Sequence, residues 1–157
     1  MYKIAINSPI GLLRMESDGV NITGLRSLYA PDAMPDAPCE ALERAKAELA
    51  RYFAGTLTAF ASPLLPSGTA FQKKVWNAIL KIPYGQTASY GEIAREIQNE
   101  TASRAVGRAC GLNPIWILIP CHRVVGASGL LTGYAGGTEA KRFLLELEKR
   151  SVPLLRK

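Results

Sequence analysis

The sequence predicts an α/β (α+β) protein: a small N-terminal antiparallel sheet with one helix, then a mainly helical C-terminal domain containing a helix-turn-helix. Three observations carry this. Residues 2–29 alternate short apolar runs with turn signals. Residues 61–69, ASPLLPSGT, hold two prolines and a glycine and read as a connection. Beyond them, apolar residues recur at helical spacing. The expected boundaries are a first domain over 1–62, a linker over 63–70 and a second domain over 71–157.

The N-terminal runs are YKIAI, GLLRME and VNITGLRSL, separated by Ser8-Pro9 and by Asp18-Gly19. An Asp-Gly step between apolar runs is a hairpin signal. Residues 30–39, with three prolines, read as a loop. Leu42, Ala45, Leu49, Tyr52 and Phe53 then share one helical face, and Gly55 is a natural stop.

In the second part, Thr69 and Gln72 form a capping box ahead of a stripe of Phe71, Val75, Trp76, Ile79 and Leu80. Pro83 and Gly85 end that helix. Ser89 and Glu92 form a second box, opening a helix to about Ile97. A short polar turn, QNET (98–101), precedes a helix over 103–111. WILI (116–119) reads as a buried β-like run, and residues 127–137 as a glycine-rich loop. Thr138 caps a last helix whose expected buried face is Ala140, Phe143, Leu144 and Leu147.

Composition narrows the function. The chain has 157 residues, 48% hydrophobic and 20% charged, as expected of an ordinary globular protein. No stretch is apolar enough to span a membrane, and the first residues predict no signal peptide. Three widely spaced cysteines do not suggest a disulfide framework, and one histidine with no CxxC argues against a metal site. A reducing compartment, the cytoplasm or a prokaryotic nucleoid, fits these features. The net charge of +6 is lopsided. Residues 1–70 carry 6 basic against 7 acidic side chains, and residues 71–157 carry 13 against 6. A basic second part suits a polyanion such as nucleic acid, although it also describes a well-solvated surface.

Two constellations could carry chemistry. Helices 90–97 and 103–110 have helix-turn-helix proportions. The second carries Arg104 and Arg108 among the small residues Ser103, Ala105, Gly107 and Ala109, which would let a duplex approach closely. A plain αα-hairpin in a core would share this spacing. The other constellation is PCHRVV (120–125), where the single histidine follows Cys121. A thiol needs a base or a positive neighbour to become a nucleophile, and His122 and Arg123 are candidates. Successive side chains of an extended segment point apart, so His122 would need a bend or a bridging water to reach the sulfur. It would also need a carboxylate on its other ring nitrogen, for which Glu148 is placed. An inert buried cysteine beside a backbone-satisfied histidine remains the plainer alternative.

NPIWILIPCHRVVGASGLLTGYAGG (113–137) resembles the active-site block of the O6-alkylguanine-DNA alkyltransferases, also called methylated-DNA–protein-cysteine methyltransferases. The likeness extends over 71–94, 103–114 and the last helix, and more weakly to SPIGLL (8–13). It implies direct DNA repair. Cys121 would take the alkyl group from O6-methylguanine, and from O4-methylthymine, in one irreversible turnover. His122 and Glu148 match a relay in which water links imidazole and thiol. Tyr90 matches the donor to guanine N3, Arg104 the finger that replaces the flipped base, and Asn113 the brace before the cysteine. The carbonyls of Cys121 and Val124 would accept from the guanine amino group, while Tyr134 and the Ala135 N–H close the pocket. The helix 103–110 would enter the minor groove, with Ser103, Ala105, Gly107 and Arg108, and Arg123 beyond it, as further DNA contacts. Trp116 stands where many members have a smaller residue and would narrow the pocket. The resemblance implies double-stranded DNA as partner, a monomer and no cofactor; some members carry zinc in the N-terminal domain, which this chain, with its one histidine, should not. The alternative is a non-catalytic helix-turn-helix DNA-binding protein. A Cys-His hydrolase fits poorly, because such a nucleophile meets a histidine distant in sequence.

Overall fold

Three strands open the chain: β1 (Tyr2–Ser8), β2 (Gly11–Ser17) and β3 (Ile22–Ser27). They form an antiparallel sheet in the order β1-β2-β3. Asp18 builds the second turn, accepting from the N–H groups of Val20 and Asn21 at 2.9 and 2.7 Å. A computed structural model of the chain describes residues 1–28, 35–129, 131, 134 and 136–155, without the side chains of 128 and 153–155. Part of the expected loop over 30–39 lies outside the described residues.

Helix α1 (Glu40–Phe53) buries Leu42, Ala45, Leu49 and Tyr52 of the expected face, while Phe53, at its last turn, is half-buried. It ends at Gly55, whose φ of 79° suits the left-handed C-terminal position. Bonds from Gly55 N–H to Tyr52 and from Thr56 N–H to Arg51 complete the Schellman pattern. The proline-rich stretch expected as a linker lies along β3. Ile22 N–H donates to Pro63 at 2.8 Å, and Leu65 N–H donates to Ile22 at 2.9 Å. Residues 114–116 also pair with β3, through Leu25 N–H to Pro114 and Trp116 N–H to Leu25.

The chain divides into two compact units, 1–67 with 114–116, and 68–113 with 117–157. A division in sequence alone, at 62 and 71, cannot contain the return of 114–116 to the first unit.

The second unit comprises α2 (Ala70–Ile79), β4 (Ala88–Ser89), α3 (Tyr90–Glu96), α4 (Ser103–Gly111), a 3-10 turn (Cys121–Arg123), β5 (Val124–Val125), a second 3-10 turn (Ala127–Gly129) and α5 (Thr138–Leu155). Both expected capping boxes are present, at Thr69/Gln72 and Ser89/Glu92. Leu80, expected on the buried stripe of α2, is exposed, because the helix has already reached its C-cap there. Between α3 and α4 the chain turns through Gln98 at φ 59°. Bonds from Gln98 N–H to Arg95 and from Asn99 N–H to Ala94 make the same Schellman stop. Trp76 Nε1–H donates to the Ala109 carbonyl at 2.9 Å and ties α2 to α4. WILI is buried as expected but forms no strand. Ile117 sits at φ 71°, a strained value for a β-branched residue, and breaks the run into a turn.

Candidate active site

The turn that holds Cys121 is built from backbone up. Pro120 lies at φ −81°, ψ 59°, and Cys121 N–H donates to the Ile119 carbonyl at 2.8 Å. That is an inverse γ-turn centred on proline. Arg123 N–H then donates to the Pro120 carbonyl at 2.9 Å and starts the 3-10 turn. Asn113, leaving α4, donates from Nδ2 to the same Ile119 carbonyl at 2.9 Å. It also acts on the Cys121 thiol, in the direction that favours the thiolate. After the turn, β5 pairs in parallel with β4, Ala88 facing Val124 and Ser89 facing Val125. The start of α3, and with it Tyr90, is thereby held beside the Cys121 segment.

Helix α5 supplies the other wall. Its buried positions are Lys141, Leu144, Leu147, Glu148 and Ser151, whereas the expected Ala140 and Phe143 are half-buried. The apolar stripe was displaced because two charged residues occupy core positions. Glu148 is 1% exposed. Its Oε2 is 2.6 Å from His122 Nε2. Arg123 donates to Glu148 from Nε at 2.8 Å and from Nη2 at 3.1 Å, and from Nη1 to the Ile82 carbonyl at 2.8 Å. Gly85 N–H donates to Glu148 Oε1 at 3.1 Å. Gly85 has φ 78°, and any side chain there would collide with Val152. Lys141 Nζ donates to the Val124 carbonyl at 2.5 Å and lies 5.9 Å from the centre of the Tyr90 ring.

The electrostatics follow from this packing. Burial by itself would raise the Glu148 carboxyl, but its bonds to His122 and Arg123 outweigh that and bring it down to about 2. Burial pushes His122 below its usual value, against the opposing pull of Glu148. At neutral pH the imidazole is therefore uncharged. An ionised carboxylate only accepts, so Nε2 carries the ring proton and Nδ1 is left as the basic nitrogen. Burial pushes the Cys121 thiol well up, and the Cys110 thiol adds to that, while Asn113 and Lys141 oppose it. The resting sulfur is a thiol. Tyr134 is buried and likewise raised by burial, with its ring edge-on to His122 at 6.4 Å.

Most of the expected residues of the second unit meet here: Cys121, His122, Glu148, Tyr90, Val124, Tyr134 and Asn113. Arg123 is a correction. It was expected on a DNA-contacting surface, yet it is 7% exposed and its guanidinium is spent on Glu148 and Ile82. Trp116 is buried in the first unit, with its N–H bonded to Leu25. Ala135 lies outside the described residues. On α4, Arg104, Ala105 and Arg108 are exposed, and Ser103 and Gly107 half-buried. A Cβ at Gly107 would meet the Tyr90 ring at 3.7 Å, an ordinary contact, so packing does not require glycine there. Sequence reasoning missed Lys141 and Cys110. Lys141 stands three before Leu144 and seven before Glu148, a helical spacing that was legible. Cys110 had no such signal. Among the described residues, no cluster of three or more metal-ligating side chains occurs.

The family profile described as "6-O-methylguanine DNA methyltransferase, DNA binding domain" matches residues 70–150. A protein of Methanosarcina acetivorans called methylated-DNA–protein-cysteine methyltransferase is 49% identical over 154 residues, covering 94% of this chain and 98% of its own. A Mycobacterium tuberculosis protein of the same name is 53% identical over 152 residues, covering 94% and 92%. The crystal structure of Mycobacterium tuberculosis OGT in complex with DNA superposes with a TM-score of 0.89 at 50% identity, covering 96% of this chain and 94% of that one. An O6-methylguanine DNA methyltransferase from Methanococcus jannaschii superposes at 0.68 with 28% identity, covering 93% of each.

Proposed function

The chain belongs to the O6-methylguanine-DNA methyltransferase family, and from that premise we propose how its residues carry out the repair. It is a methylated-DNA–protein-cysteine methyltransferase: it binds DNA and moves the alkyl group of O6-methylguanine to its own cysteine, in one turnover. The observation that carries the residue assignment is the 2.6 Å bond between Glu148 and His122, the residue next to Cys121.

Cys121 is the acceptor. Its proton leaves through a water to His122 Nδ1, and Glu148 steadies the imidazolium that forms. Arg123 keeps Glu148 ionised throughout. The thiolate attacks the alkyl carbon in line with the O6 bond, so an S–C bond forms as the C–O6 bond breaks. The electron pair moves onto guanine, and Tyr90 gives a proton to N3, so guanine departs neutral. The C–S bond of the resulting thioether is not cleaved by anything the site supplies, which leaves the protein spent.

The base must reach this sulfur outside the helical stack. Flipping takes a few kcal/mol, and least for a poorly paired base. Arg104 fills the gap, while Arg108 and the small residues of α4 let the helix lie close in the minor groove. The thiol chemistry and a DNA target together support a cytoplasmic location; recovery with the membrane fraction would refute it. Among the described residues no helix is long and apolar enough to cross a membrane.

A duplex with one radiolabelled O6-methylguanine tests the reading. About one methyl should pass to each molecule, and none to Cys121→Ser. DNA binding without label would sink the transfer and leave α3–α4 as a non-catalytic DNA-binding hairpin. In the same assay Tyr90→Phe should slow transfer while DNA retention persists; an unchanged rate removes that hydroxyl from the chemistry.

A further inference from the structure

Cys110 has no part in the transfer, yet it is a second buried nucleophile at the same place. It lies on α4, 2% exposed, and its thiol acts on the titration of the Cys121 thiol, itself 1% exposed. The backbone ties the two positions together. Asn113 N–H donates to the Cys110 carbonyl, and Asn113 Nδ2 and Cys121 N–H meet on the Ile119 carbonyl. Trp76 holds the adjacent Ala109 carbonyl, so the α4 end cannot drift. The Lys141 ammonium acts favourably on either sulfur when it is ionised. All three cysteines are free in the structure. A disulfide between two such buried, mutually interacting thiols requires their Cα atoms within about 7 Å of each other.

We propose that Cys110 is a resolving cysteine for Cys121, and that hydrogen peroxide converts the pair into a reversible Cys110–Cys121 disulfide that stores the acceptor in an inactive form. The Cys121 thiolate attacks one peroxide oxygen, the O–O bond breaks, and hydroxide leaves as water after taking a proton. The sulfenic acid at Cys121 is then attacked by the Cys110 thiolate. The S–S bond forms, the S–O bond breaks, and a second water leaves. Two electrons pass from the two thiols to peroxide. Without a resolving thiol, sulfenic acid proceeds to sulfinic acid, which dithiols do not reduce. A protein with one usable sulfur gains most from this protection. The loss of transfer on oxidation rests on Cys121 being the acceptor; the disulfide itself does not.

The two cysteines fall in one tryptic peptide, 109–123, between Arg108 and Arg123. After peroxide and N-ethylmaleimide, this peptide should be two hydrogens lighter and carry no maleimide. Methyl transfer should fall at least about tenfold and return to within about twofold on dithiothreitol. Maleimide on both cysteines, or oxygen added to Cys121 with Cys110 still free, would overturn the proposal. Cys110→Ser should lose the lighter peptide and become irreversibly inactive under sustained peroxide; full recovery in that variant also counts against it. If Cys110→Ser does not fold, the wild-type peptide mass decides alone. A lighter peptide from protein that never transfers methyl would refute the acceptor role and leave the disulfide standing.

Discussion

The two units bury different things. The first packs Ile4, Leu13, Met15, Ile22, Leu25, Leu42 and Leu49, and among its described residues the buried polar ones are Glu16 and Ser17, at the sheet. The second buries Asn113, His122, Arg123, Lys141, Glu148 and Ser151 together with the thiols of Cys110 and Cys121. Apolar burial stabilises by about 25 cal/mol per Å² and is indifferent to detail beyond shape. A buried ion group tends to break even against desolvation, and it fails badly when one partner is lost. The first unit is therefore built for stability, and the second accepts buried charge to hold a sulfur, a neutral imidazole and a permanent carboxylate in one arrangement.

Glu148→Gln should break this contrast most strongly. It leaves the Arg123 guanidinium buried without its counter-charge, and about 3–5 kcal/mol of stability should go, read from urea unfolding at neutral pH. A loss under about 1 kcal/mol would mean that the carboxylate does not balance buried charge. The pH dependence has a definite sign. Glu148 is held at about 2 against an ordinary 4.5, so its contribution is present above 4.5 and lost as pH falls toward 2. His122 is also lowered, so its contribution is present above 6.5 and declines below that. Wild-type protein should thus lose stability in acid more steeply than Glu148→Gln.

Leu42→Ala tests the other side. Leu42 is fully buried on α1, and its truncation should cost about 2–5 kcal/mol. Methyl transfer per folded molecule should not change; a fall in that ratio would show that the first unit takes part in the chemistry. Arg104→Ala removes an exposed side chain, so stability should move by no more than about 0.5 kcal/mol. Repair in duplex DNA should slow about tenfold, roughly 1.4 kcal/mol, with less effect on the free base. Equal slowing on both would refute the finger role. Ser89→Ala is the smallest change. It deletes the cap whose Oγ accepts from Glu92 N–H at 3.0 Å, for about 1 kcal/mol. A thermal midpoint that does not move would show that β4–β5 pairing alone holds the start of α3.

Much of this was legible because local rules governed it. The Asp18-Gly19 turn, the Gly55 stop and both capping boxes depend on residues within a few positions of each other. The apolar face of α1 followed from period alone. The site was half legible. His122 and Glu148 could be paired through the resemblance, and their bond is present. Arg123 was misplaced because a charged residue beside a reactive cysteine resembles a surface contact, and only its partners reveal burial. The α5 face was misread for the same reason, since Lys141 looks like a solvent position when its partner is unseen. Ile117 was missed because β-branched residues argue for strand, and the turn that overrides this is a tertiary constraint.

The sequence by itself determined the order of the three N-terminal strands and the five helices, the two capping boxes, the basic second part and a thiol beside the single histidine. Those depend on neighbouring residues, and local chemistry reads neighbours. Only the tertiary structure decided that Arg123 faces inward, that Lys141 holds the Val124 carbonyl, that residues 114–116 return to β3, and that Cys110 and Cys121 are buried together in the second unit. Each of these joins positions far apart in the chain or turns a charge away from water. Whether such a charge is tolerable depends on partners that only the folded chain brings within reach.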